Sequence, residues 1–181
     1  LAKHFRMNRL LQGDVGSGKT VVAFVSLLVA IEAGGQGVLM APTEILVQQH
    51  VENLRPLGDK VGVVVESLTG RDKGKEREKK LKALRDGNIH ILIGTHAVFQ
   101  SGVNFLDLRL AIIDEQHRFG VRQRLALGEK GQSVDVLVMT ATPIPRSLAL
   151  SQYGEMDLTL LKEKPAGRKP VKTVIVSDTR I

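Results

Sequence analysis

The eight residues Gly13-Asp14-Val15-Gly16-Ser17-Gly18-Lys19-Thr20 have the form G-x-x-x-x-G-K-T. In such a run glycine lets backbone N–H groups converge on an anion, and the helix that follows points its positive end the same way. Lys19 adds an ammonium at the level of β- and γ-phosphates, and the Thr20 hydroxyl can ligate Mg²⁺. The four fixed positions coincide by chance in fewer than about one chain in a hundred of this length. A second candidate is the adjacent carboxylate pair Asp114-Glu115, which ends the apolar run Leu110-Ala111-Ile112-Ile113. Beside a phosphate loop, Asp114 is expected to hold the metal and Glu115 to orient the attacking water; in isolation the pair would serve equally as a helix cap. The third is Thr140-Ala141-Thr142-Pro143, two hydroxyls after another apolar run.

These groups need scaffolding that brings them together. Arg9-Leu10-Leu11 reads as the end of a strand, and Val21 to Ala30 as a helix covered on all sides. Val38-Leu39-Met40 predicts a second strand, stopped by Pro42, and Thr43 caps a helix running to about Leu57. Val61 to Leu68 is a β-branched run, and Lys73 to Asp86 a charged helix closed by Gly87. Ile89 to Ile93, Leu108 to Ile113 and Val134 to Met139 complete the expected strands. Strands alternating with helices imply an α/β fold, a mostly parallel sheet with helices on both faces. Every candidate then falls at the carboxyl end of a strand, where an open sheet forms its ligand crevice.

The bulk composition is compatible with this. The 181 residues are 43% hydrophobic, enough for a substantial core. Cysteine is absent, which excludes disulfides and thiolate metal sites and suits a reducing compartment. No run is long enough to span a membrane and no secretory leader opens the chain, so it reads as cytoplasmic with no membrane partner. Lys and Arg number 26 against 19 Asp and Glu, a formal charge of +7, and a polyanion is the natural partner. Arg71 to Arg85 holds eight basic and three acidic residues, which is also the pattern of a solvated helix face. With five Phe, one Tyr and no Trp, a nucleic acid would be gripped by its phosphates rather than by stacking on aromatic rings. The chain starts at Leu1 and closes near an expected strand, Val171 to Val176, as a piece of a longer protein would.

Asp114-Glu115-Gln116-His117 resembles the DExH form of the acidic box of superfamily 2 helicases. Thr140-Ala141-Thr142 is similar to their S/T-A-T motif, and Ala41-Pro42-Thr43-Glu44 to their first nucleic-acid-contacting motif. The longer strings, with Arg118-Phe119-Gly120-Val121 and Ala141-Thr142-Pro143-Ile144-Pro145-Arg146, resemble the bacterial members that remodel branched DNA. The resemblance extends over nearly the whole chain and implies the first of two RecA-like motor domains, residues 1–161. Residues 162–181 would then be a linker and the start of the second motor domain. It implies ATP and Mg²⁺ as the nucleotide and metal, and branched DNA (forks and junctions) as the substrate. The second RecA-like domain and a wedge domain would be partners. It further implies that Pro42, Thr43, Gln49, His50, Thr69, Gly70, Thr95 and His96 lie along the DNA, while His117, Thr140 and Thr142 couple nucleotide state to movement. On spacing alone the three histidines 50, 96 and 117 read equally as surface or satisfied core residues.

Without the second domain's arginine fingers, the chain alone is expected to bind ATP·Mg weakly and hydrolyse it hardly at all. Two other functions fit parts of the pattern: a duplex DNA translocase of the transcription-repair coupling type, and a phosphate-loop small-molecule kinase or nucleotide-gated binding module. Stimulation of ATPase by branched DNA separates the last from a motor.

Overall fold

Strands that are apolar at successive positions, such as Ile91-Leu92-Ile93 and Leu110-Ala111-Ile112-Ile113, must be covered on both faces, and parallel pairing behind helical crossovers does this. A computed structural model of the chain, which describes residues 6–114, 134–142 and 156–162, has that arrangement. The elements follow in the order β1 (Asn8–Gly13), α1 (Lys19–Glu32), β2 (Gln36–Met40), α2 (Glu44–Lys60), β3 (Val65–Leu68) and α3 (Gly74–Arg85). Then come β4 (Ile91–Gly94), a 3₁₀ turn (His96–Phe99), β5 (Leu108–Asp114), β6 (Asp135–Thr140) and β7 (Asp157–Leu161). The seven strands form one sheet in the order β3-β4-β2-β5-β6-β1-β7, and every pairing among them is parallel.

Alternate residues of each strand feed two cores. On one face Leu11, Leu39, Ile93, Ile112 and Met139 pack against Phe24 and Leu27 of α1 and Val47, Val51 and Leu54 of α2. On the other, Leu10, Val38, Leu92, Ile113 and Val138 meet Leu84 of α3 and Val98 of the 3₁₀ turn. Helices therefore cover both faces, as expected. Backbones also approach closely: a Cβ added to Gly58 would lie 2.6 Å from the Val63 carbonyl oxygen.

Several local expectations are corrected. Helix α1 is not covered all round: Val21, Val25 and Val29 are 64%, 53% and 42% exposed, while Ala23, Phe24, Leu27 and Ala30 form its buried stripe. Composition alone could not show this, because every residue from Val21 to Val25 is apolar. Helix α2 runs through Pro56 to Lys60, beyond the expected end at Leu57. Burial of Leu54 and Gly58 holds its last turn against the sheet and outweighs the helix-breaking tendency of proline. The run from Val61 becomes a strand only at Val65, after a turn at Gly62 with φ of 73°. Strand β7 was not foreseen; it pairs with β1, where Arg9 bridges to Asp157 at 3.0 Å and donates to Thr159 Oγ1 at 2.8 Å.

Candidate nucleotide site and nucleic-acid rim

Strand β1 delivers the phosphate loop directly into α1. Gly16 and Gly18 have φ of 78° and 92°, values that side chains on an L-residue disfavour. Gly18 is the N-cap of α1 and provides no side-chain cap, so the first turn presents its backbone donors to whatever anion arrives. A Cβ on Gly18 would meet nothing within 4 Å; the glycine is there for its backbone angle, and the space before the loop is open. Gly13 is restricted by crowding: an added Cβ would overlap Ser17 Oγ and lie 2.9 Å from Leu161 Cβ. Asp14 organises the turn, its carboxylate accepting the Val15 N–H at 2.8 Å and its carbonyl the Ser17 N–H at 3.1 Å. Lys19 Nζ donates to the carbonyls of Gly13 at 2.7 Å and Asp14 at 3.0 Å. Two neutral acceptors hold that ammonium less strongly than anionic phosphate oxygens would. Thr20 follows in the first turn of the helix.

The carboxylate lies on the same edge of the sheet. Leu11 pairs with Met139, and Met139 with Asp114, so these residues form one row across β1, β6 and β5. At about 4.8 Å between strands, the Asp114 and Leu11 α-carbons stand about 10 Å apart, and the loop begins two residues beyond Leu11. Thr140, on the strand between them, is 3% exposed. Its Oγ1 lies 2.8 Å from Thr142 Oγ1 and accepts the Thr142 N–H at 3.2 Å. Glu115 and His117 lie outside the described residues. A hydroxyl on Thr20 and a carboxylate on Asp114 form a hard oxygen donor set that fits Mg²⁺. Among the described residues no cluster of three His, Cys, Asp or Glu could hold a metal alone.

His50 is placed differently from the expectation. It is 7% exposed, and its Nε2 lies 2.7 Å from Asp114 Oδ2 in the core. A side chain so buried has no open face for DNA. It was missed because residues 50 and 114, far apart in sequence, are brought together only by the tertiary fold, which lets His50 of α2 reach the last residue of β5. Thr95 is likewise buried, at 6% exposure. Its neighbour His96 is exposed at the start of the 3₁₀ turn.

The remaining rim residues do gather. Pro42 and Thr43 are exposed at the start of α2, where Thr43 Oγ1 accepts the Leu46 N–H at 3.3 Å as an N-cap. Gln49, Ser67, Thr69, Arg71 and Asp72 line a cleft of about 640 Å³ between α2 and the loop after β3, and Gly70 lies exposed in that loop. Lys80 holds the loop by donating to Asp72 Oδ1 at 2.7 Å and to the Ser67 carbonyl at 3.0 Å. Partial burial pushes the Asp72 carboxyl up, but the bonds from Lys80 and the Thr69 N–H outweigh it and hold the group below the usual carboxylate range. Arg71 pairs with Glu44 at 2.6 Å. The cleft thus offers hydroxyls and amides, and with Glu44 and Glu52 also in its lining it holds more carboxylates than cations.

The chain matches the family model described as DEAD/DEAH box helicase over residues 3–150. It is 56% identical over 173 residues to the ATP-dependent DNA helicase RecG of Bacillus subtilis, covering 96% of this chain and 25% of that protein. Against the RecG of Pasteurella multocida it is 51% identical over 184 residues, covering 99% and 27%. The chain thus spans about a quarter of the length of the curated relatives it matches. A solved structure of RecG bound to a three-way DNA junction superposes with a TM-score of 0.79 at 50% identity, covering 92% of this chain and 22% of that one. The helicase domain of Pyrococcus furiosus Hef, at 22% identity and a TM-score of 0.65 over 87% of this chain and 36% of its own, shares the RecA-like fold.

Proposed function

The chain belongs to the DEAD/DEAH box helicase family, and from that premise we propose that it is the ATP-binding motor domain of a helicase of the RecG kind. Residues 1–161 form the first RecA-like domain, and 162–181 lead into the second. The full-length protein unwinds and branch-migrates forks and recombination junctions in DNA repair and recombination, in the bacterial cytoplasm. The observation that carries this reading is the common rim: phosphate loop, Asp114 and the Thr140–Thr142 pair end adjacent strands of one parallel sheet.

ATP phosphates are received by the backbone N–H groups of the loop and the first turn of α1, and Lys19 exchanges two carbonyls for phosphate oxygens. Thr20 and Asp114 would hold Mg²⁺, which when bound would neutralise charge on the phosphates. Glu115, next to Asp114, orients the attacking water. Thr140 and Thr142, on the strand between loop and carboxylate, sense whether the γ-phosphate is present. On the neighbouring rim, Pro42, Thr43, Gln49, Thr69, Gly70 and His96 receive the DNA backbone through hydroxyls, amides and backbone N–H groups. Movement comes from two motor domains that alternate their grip as the cleft between them closes on ATP and reopens after hydrolysis. A wedge domain elsewhere in the protein engages the branch point.

The test is the ATPase of the full-length protein with and without a synthetic fork. A motor of this kind accelerates on the fork. A rate indifferent to DNA would refute the proposal and favour a small-molecule phosphotransferase.

A further inference from the structure

Helix α2 buries one stripe, Val47, His50, Val51, Leu54 and Gly58, and within it His50 alone is polar. A buried imidazole is costly unless bonded. Its Nδ1 has no partner among the described residues, so within them the stripe would pack at least as well with an apolar residue here. What His50 contributes is the 2.7 Å bond to Asp114 Oδ2. An ionised carboxylate only accepts, which assigns the hydrogen to Nε2. That bond fixes the carboxylate's orientation through one oxygen and leaves the other for a metal.

The same helix begins at the nucleic-acid rim with Thr43 as its cap, and Gln49, immediately before His50, lines the rim cleft. We infer that His50 is a positioning residue that links the nucleic-acid rim to Asp114 through α2, an inference that rests on the motor reading above. A helix moves as a rigid body. A shift of α2 by about 0.5 Å along the bond would stretch 2.7 Å to the limit of a good N–H···O contact. DNA seated on the rim therefore sets how firmly Asp114 is oriented, and through it how tightly magnesium and nucleotide are held. Supporting partners of metal-binding carboxylates carry effects of about 10- to 100-fold in metal affinity.

The test compares wild type, His50→Leu and His50→Gln in the full-length protein. The glutamine amide can donate near the position of the imidazole Nε2. Three readouts are used: the Mg²⁺ concentration for half-maximal binding of a fluorescent ATP analogue, magnesium-free binding of that analogue, and the ratio of ATPase with and without a fork. His50→Leu is expected to raise the Mg²⁺ requirement about 10-fold, leave magnesium-free binding unchanged, and lower fork stimulation about 5-fold or more. His50→Gln is expected to recover most of both losses. Wild-type stimulation with an unaffected His50→Leu protein overturns the coupling. So does equal loss of magnesium-free binding and thermal stability in both variants, which would make His50 a packing residue only. A wild-type ATPase indifferent to the fork overturns the motor reading itself.

Discussion

Gln36 is 4% exposed, and its side chain fastens three segments at the edge of the sheet opposite the nucleotide site. Its Nε2 donates to the Leu84 carbonyl at 2.8 Å and the Ile89 carbonyl at 2.6 Å, and its Oε1 accepts the Leu106 N–H at 2.7 Å and the Asp107 N–H at 3.2 Å. Gln36→Leu keeps the volume and removes all four bonds. The Leu84 carbonyl still accepts the Gly87 N–H at 3.2 Å, so its loss is small. The Ile89 carbonyl sits in the buried part of the network, and stranding it costs about 1–3 kcal/mol. The Leu106 and Asp107 amides lie on a partly exposed loop where water can replace the oxygen, so about 1 kcal/mol or less is expected for each. The sum is about 2–5 kcal/mol, a large share of the 5–15 kcal/mol that holds a typical domain. At about 2–4 °C per kcal/mol for this chain length, the melting temperature should fall by about 4–20 °C. Thermal unfolding followed by circular dichroism measures this, with ATP-analogue binding below the transition as a check that the distant site is intact. A Gln36→Leu protein melting within 2 °C of wild type would show that the network is not the stabilising element argued here.

Other expectations concern the site and its rim. Lys19→Ala removes the cation that meets the phosphates, and losing a charge-assisted bond of this kind should weaken ATP-analogue binding about 100-fold; near-normal affinity in a titration would contradict the role. Glu115→Gln in the full-length protein should keep ATP binding and lose turnover by about 100-fold or more, seen by comparing analogue binding with steady-state ATPase; equal loss of both would count against a water-orienting role. Asp72→Asn should destabilise the loop after β3 at neutral pH. Because the folded pKa of Asp72 is depressed, its stabilisation is present above the unfolded value near 4 and disappears as pH falls through the folded value. The gap between wild-type and Asp72→Asn unfolding free energies should therefore narrow on acidification, and a gap constant from pH 7 to below 3 would refute the assignment.

The fold class was legible because apolar runs ending in glycine, proline or acidic residues recur with helical stretches between them, and only parallel pairing buries such strands on both faces. The phosphate loop was legible for a different reason: its chemistry lies in eight consecutive residues, so the geometry is local. Helix α1 shows where pattern reading stops. Between Val21 and Ile31 only Ser26 is polar, and which of these residues face the sheet depends on where the helix is docked, so the exposure of Val21, Val25 and Val29 was not readable. Strand β7 is marked by only a few alternating residues and becomes a strand because β1 offers an unpaired edge.

Residue identity and spacing alone picked out the groups proposed to carry chemistry: Lys19, Thr20, Asp114 and the Thr140–Thr142 pair. Their being neighbours was settled by the strand order, which sets β6 between β1 and β5 and brings residues more than 90 positions apart onto one rim. The tertiary structure also placed His50 against Asp114. Side-chain periodicity along α2 cannot say whether its inner face meets leucines or a carboxylate, because what lies beneath a helix is set by long-range pairing that no local propensity encodes.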